Sequence, residues 1–109
     1  MKTHEEYMEL ALEEARKAEE IDEVPVGCVI VCDGEVISRG HNLKEQLNQA
    51  YAHAEMMAIQ KAAEVKGNWC LNDCDLYVTL EPCMMCTGII NLSRIRTVYY
   101  GTQDPKGGC

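Results

Sequence analysis

Apolar positions recur along this chain in two rhythms, and the alternation between them sets out its elements. Within residues 4–20, Met8, Ala11, Leu12 and Ala15 fall at the i, i+3, i+4, i+7 spacing of one helix face, and mostly acidic residues fill the remainder as a solvated face. Thr3 followed by Glu6 has the capping-box spacing that starts such a helix. Val24-Pro25-Val26 ends it. From Val26 to Val31 the apolar, β-branched run is nearly continuous, as expected of a strand covered on both faces. Asp33-Gly34 predicts a tight hairpin turn, and Glu35 to Gly40 the returning strand. His41-Asn42 closes that strand and opens a polar loop through Asn48.

The helical rhythm returns from His53 to about Lys66, with Ala54, Met57, Ala58 and then Ala62 or Val65 as the apolar stripe and Gly67-Asn68 as the stop. Trp69 and Leu71 are expected to pack the connection to a third strand, Asp75 to Leu80. Pro82 suits the first position of a following helix, where its missing N–H leaves nothing unpaired; that helix runs to about Ser93. Arg96 to Tyr100 reads as a fourth strand and 101–109 as a Gly/Pro-rich loop. Helices alternating with short strands imply crossovers, so the third and fourth strands should be parallel. The expected architecture is α/β, a three-layer αβα arrangement around a mixed sheet, in one domain spanning 1–109. Sheets of this kind bind ligands beyond the carboxyl ends of their strands, and Cys83 and Cys86 follow the end of the third.

Composition narrows the class. With 47% hydrophobic residues and 3 Pro, the chain is not disordered. No apolar run approaches the ~18 residues of a membrane span, and the acidic, helical N-terminus does not read as a signal peptide, so a cytoplasmic location is expected. Seven Cys is an odd count, which favours metal binding and buried thiols over a disulfide framework. Cys28 and Cys32 would face the same side of the first strand as buried structural thiols. The net charge of −8 is uneven: nine acids against three bases place −6 of it in residues 1–23. From Met84 onward Arg94, Arg96 and Lys106 oppose only Asp104, a small basic region compatible with phosphate contact near the site.

Cys83 and Cys86, three apart at a helix start, can aim both sulfurs at one point, where the helix N-terminus favours thiolates. His53 would complete three protein ligands and leave a fourth tetrahedral position open, the mark of a catalytic rather than a structural zinc site. Cys70 or Cys74 as a fourth ligand would instead make the site structural, and Cys-x-x-Cys alone would fit a redox motif. Glu55, two residues after His53, can project past the same helix start and carry a proton beside the metal.

These residues together resemble the zinc-dependent cytidine deaminase-like superfamily, and within it the bacterial tRNA-specific adenosine deaminases. The resemblance rests on Val24-Pro25-Val26-Gly27, Gly40-His41-Asn42, His53-Ala54-Glu55-Met56, the run from Leu76 through Glu81-Pro82-Cys83-Met84-Met85-Cys86, and Tyr100-Gly101 before Asp104-Pro105-Lys106. It implies one zinc ion per subunit on His53, Cys83 and Cys86, Glu55 as proton shuttle, and Asn42, Ala54 and Val26 as substrate contacts. It implies hydrolytic conversion of adenosine to inosine at the first anticodon position of tRNA, in a homodimer. Family members continue beyond the Asp-Pro-Lys loop with a strand and helices, so the fourth strand is expected as an exposed edge. The same residues would serve a deaminase of free guanine or cytosine, or a zinc-binding partner subunit without turnover.

Overall fold

Reciprocal hydrogen bonds start the first helix as the Thr3/Glu6 spacing predicts: Thr3 Oγ1 accepts the Glu6 N–H at 3.2 Å, and Glu6 Oε1 accepts the Thr3 N–H at 3.1 Å. The computed structural model describes residues 2–102. α1 (His4–Glu20) buries Tyr7, Ala11, Glu14, Ala15 and Ala18, whereas Leu12, expected inward, is exposed. Gly27 explains the phase. A Cβ there would meet the Ala11 carbonyl oxygen at 1.9 Å and the Ala15 nitrogen at 2.4 Å, so α1 lies directly on the strand backbone and only small residues fit beneath it.

β1 (Gly27–Cys32) is buried along its whole length. Asp33 and Gly34, with φ of 51° and 81°, turn the chain in the left-handed region, as a two-residue type I′ hairpin requires. β2 (Glu35–His41) returns antiparallel, with a register shift opposite Ile30/Val31. The expected polar loop holds a short helix, α2 (Lys44–Leu47), closed by Asn48 in the left-handed conformation. α3 (Ala54–Lys66) follows and ends on Gly67 at φ 65°. β3 (Cys74–Leu80), α4 (Met84–Leu92) and β4 (Thr97–Thr102) complete the described elements.

The sheet order is β2-β1-β3-β4, with β1 antiparallel to both neighbours and β3 parallel to β4. α1 covers one face, where Tyr7 packs with Val29, Val31 and Tyr77. α3 and α4 cover the other, where Ala54, Ala58, Ala62 and Ile90 pack on Cys28, Ile30, Leu76 and Val78. The three-layer mixed sheet is therefore as expected, and among the described residues β4 lies at the edge, with 100–102 exposed. No helix among the described residues is long and apolar enough to cross a membrane.

The structure adjusts several local expectations. Trp69 is 64% exposed and only Leu71 packs the connection; Leu71 fills the core as the smaller, fully buried side chain. Of the two candidates left open for the α3 stripe, Ala62 completes it and Val65 lies outside. Pro82 does not open α4: Cys83 is its cap and Pro82 stands one residue before it. The fourth strand starts at Thr97, because Arg96 gives its N–H to the Cys74 carbonyl and leads into the pairing. The loop expected over 101–109 is strand through Thr102, and 103–109 lies outside the described residues.

Candidate metal centre

Two helix starts meet at one point because the sheet brings them there. A Cβ on Gly40 would stand 2.5 Å from the Ala54 carbonyl oxygen and 2.7 Å from the Ala58 nitrogen, so the glycine lets α3 settle against β2. β3 carries the chain to the start of α4 on the same side of the sheet. His53 caps α3 and Cys83 caps α4, yet neither side chain makes the usual hydrogen bond to its own helix. Both turn to a common point, joined there by Cys86 from the first turn of α4.

His53 Nδ1 stands 3.6 Å from Cys83 Sγ and 3.6 Å from Cys86 Sγ, and the three donor atoms lie within 4.8 Å of one another. Nitrogen at 2.0–2.1 Å and sulfur at 2.3 Å from a tetrahedral zinc are roughly 3.6 Å apart. The donor set fits zinc and offers three ligands, leaving a fourth position. Neither Cys70 nor Cys74 joins the group. Burial, then the nearby Lys44 charge, lowers the His53 pKa, keeping the imidazole in the neutral form that ligates metals. Burial first, and then the Glu55 and Cys83 charges, push the Cys86 thiol far above its ordinary range. Such a crowd of acids calls for a cation.

Glu55 is buried beside this point, its carboxylate accepting from the Cys86 thiol and from its own backbone N–H; burial raises its pKa above the ordinary carboxyl value. Asn42 Oδ1 accepts the Ala54 N–H at 2.8 Å, which fixes the orientation of the amide and leaves Nδ2 as the donor. The Asn42 N–H reaches the Val26 carbonyl at 3.3 Å. Val26, Asn42, His53, Glu55, Leu80 and Cys83 line one cavity of about 500 Å³, a size that admits a nucleobase with room to spare. Of the expected site residues, Val26, Asn42, His53, Glu55 and Cys83 line the cavity, Cys86 lies buried behind it against His53, and Ala54 enters through Asn42, since its N–H is already engaged.

Two features were not expected. Glu23, nearly buried, accepts the Glu45 and Gln46 N–H groups at 3.1 and 2.8 Å and so ties α2 over the cavity. The cavity wall is acidic, with Asp22, Glu23, Glu45 and Glu81 against Lys44. The basic region foreseen near the site is elsewhere: Arg96 is held by both Asp75 oxygens at 3.0 Å, at the opposite end of β3, and Lys106 lies outside the described residues. Cys28 and Cys32 do share a face and are buried, but Cys32 belongs to a second cluster with Asp73 and Cys74. No sequence spacing announces that cluster, which β1–β3 pairing creates.

A family model described as the cytidine and deoxycytidylate deaminase zinc-binding region matches residues 1–102. The chain belongs to this deaminase family. A tRNA-specific adenosine deaminase of Bacillus subtilis is 53% identical over 103 residues, 94% of this chain and 64% of that protein. One of Agrobacterium fabrum is 56% identical over 107 residues, 98% of this chain and 69% of that protein. The chain thus spans less than two thirds of the length of the Bacillus protein. Among solved structures, one from a study of A-to-I editing by tRNA:A34 deaminases at the wobble position matches with a TM-score of 0.93 and 56% identity, over 95% of this chain and 80% of that one. A guanine deaminase of Bacillus subtilis matches with a TM-score of 0.91 and 39% identity, over 94% and 66%.

Proposed function

We propose that this chain is the catalytic domain of a tRNA adenosine deaminase, converting adenosine at the first anticodon position to inosine with uptake of water and release of ammonia. The 3.6 Å spacing of His53 Nδ1 from both sulfurs, with Glu55 buried beside it, carries the deaminase reading. The tRNA adenosine substrate is supported by relatives of that name at 53% and 56% identity.

In this reading residues 1–109 act as one domain, and His53, Cys83 and Cys86 hold one zinc ion per subunit. Zinc, when bound, supplies the acidity that lets water act as a nucleophile near neutral pH. Glu55 takes one proton from that water and gives it to the purine ring, then carries the second proton, from the hydroxyl added to the base, to the departing amine. Its burial suits both transfers, since raising the carboxyl's pKa above its ordinary value makes it a better proton acceptor from water. Asn42 Nδ2 donates to a ring nitrogen of the base, held in place because Ala54 occupies the amide oxygen. Val26 and Leu80 supply apolar walls. The acidic rim keeps phosphates out of the cavity, so the base enters unstacked while its backbone stays outside, as an anticodon loop permits. Exposed Met84 and Leu92 on α4 support a homodimer, and the tRNA substrate supports a cytoplasmic location.

Incubation of zinc-loaded protein with an anticodon stem-loop bearing adenosine at the wobble position, read by sequencing for inosine, tests the reading. Inosine is the expected product; a folded, zinc-bound sample that forms none overturns it. A second reading, deamination of a free base, is favoured by the likeness to guanine deaminase and by the acidic rim. Ammonia released from free guanine or cytosine, with RNA untouched, would establish it instead.

A further inference from the structure

At the end of the sheet away from the metal centre, β1 finishes on Cys32 and β3 begins on Cys74, and the two are direct cross-strand partners. Cys74 gives its N–H to the Leu71 carbonyl, and its carbonyl accepts the Arg96 N–H. Directly opposed residues of an antiparallel ladder stand about 4.5–5.5 Å apart between Cα atoms, inside the range a disulfide spans. The sulfurs lie within 4.8 Å of each other. Asp73 straddles them: its Oδ2 accepts from Cys32 Sγ at 3.5 Å and its Oδ1 from Cys74 Sγ at 3.4 Å. The Lys66 ammonium stands 3.6 Å from Cys32 Sγ and is paired with Asp73. A dithiol, a carboxylate shared between its protons and a cation beside one sulfur are more than two buried core thiols need.

We propose that Cys32 and Cys74 are an oxidation site that closes into a reversible disulfide. Cys32 acts first, because the Lys66 ammonium stands beside its sulfur and because Lys66 and Asp73, the side chains covering it, are themselves partly exposed. Its sulfur attacks one oxygen of hydrogen peroxide; the O–O bond breaks, the departing hydroxide takes a proton to become water, and Cys32 becomes a sulfenic acid. Burial, with Asp73 beside it, holds the Cys74 thiol up at about 12, so it stays protonated until that step is complete. Cys74 then gives up its proton and attacks the Cys32 sulfur; the S–O bond breaks, a second water leaves and the S–S bond forms. Two thiols and one peroxide yield one disulfide and two waters, and an external thiol reverses the change by exchange. The cross-link ties β1 to β3 without touching the residues around His53, so the site is independent of the proposed function.

The test exposes the zinc-loaded protein to hydrogen peroxide, blocks free thiols under denaturing, non-reducing conditions, and maps linked peptides by mass spectrometry. One Cys32–Cys74 link is expected, absent in Cys32→Ser and removed by a thiol reductant. Its rate of formation should fall about tenfold in Lys66→Met, whose lost charge sits on the surface and leaves the core intact. Cys32 and Cys74 recovered as free, blocked thiols after peroxide treatment would overturn the proposal. So would a link from either to Cys70 or Cys83. Uptake of a second zinc ion per chain that Cys32→Ser abolishes would overturn it too, in favour of a metal site.

Discussion

Asn42 does two jobs with one amide, and they can be separated. Its oxygen satisfies the Ala54 N–H at the start of α3, while its nitrogen faces the proposed base. Asn42→Ala leaves that N–H without its partner and should cost about 1–3 kcal/mol in urea unfolding. Asn42→Asp keeps the acceptor and loses the donor. It should unfold near the wild-type midpoint and yet raise KM at least about tenfold, the effect of one lost hydrogen bond to substrate. Glu55 gives a different signature. Glu55→Gln preserves shape and hydrogen bonding but cannot carry a proton, so kcat should fall by about 10²–10⁴-fold with zinc content, measured by mass spectrometry, unchanged. Loss of zinc with activity would assign Glu55 to metal holding.

The element scale shows how these residues are aimed. α3 approaches β2 only because position 40 has no side chain; Gly40→Val would drive a branched group into the Ala54 and Ala58 backbone and displace His53 with the helix. Roughly 1–3 kcal/mol of destabilisation is expected, together with weaker zinc retention in a chelator titration. α1 is fastened by Glu14, buried yet paired with His41 at 2.9 Å and Lys17 at 2.7 Å. Burial raises its pKa, but the bonds from Lys17 and His41 outweigh that and leave it below 4.5. A carboxyl depressed on folding stabilises fully above its unfolded value and loses that contribution as pH falls through its folded value. The gap in urea midpoint between wild type and Glu14→Gln should therefore be widest above pH 4.5 and narrow as pH falls below it.

At the scale of the molecule, a metal on the three proposed donors would belong to the fold as well as to the site, because they join the starts of α3 and α4. Zinc at 100 times its dissociation constant should add about 2.7 kcal/mol. Chelation should lower Tm in the wild type and leave Cys86→Ser, already without a complete site, unmoved. An equal fall in both would place the chelator's effect elsewhere. The proposed dimer is tested at the same scale: Met84→Glu, at a position 81% exposed, should shift sedimentation from dimer to monomer without changing the fold.

Much of this was legible in the residues because the signals were local or strongly spaced. The Thr3/Glu6 cap, the Asp33-Gly34 turn, the Gly67 stop and the apolar run of β1 each name their own conformation. The Cys-x-x-Cys spacing, with His53 upstream, picked out three donors that the structure brings together, since two donors from one helix start must lie a fixed interval apart. His53 and Cys83 even break the capping preference that Ser, Thr, Asp and Asn usually satisfy, a local sign that their side chains are needed elsewhere.

The rest depended on which backbones lie side by side. Periodicity offered Leu12 as a core residue, but the contact of α1 with Gly27 selected the alanine face. Glu23 reaches α2, Arg96 turns away to Asp75, and Cys32 meets Cys74 only once the strands are paired. Sequence by itself determined the elements other than α2 and the residue types of the candidate metal centre, because both are written in short local patterns along the chain. Tertiary structure alone decided the acidity of the cavity, the burial of Glu55 and the dithiol at the far end of the sheet. Those are properties of neighbours dozens of residues apart, which the packing of helices on a four-stranded sheet brings within a few ångströms.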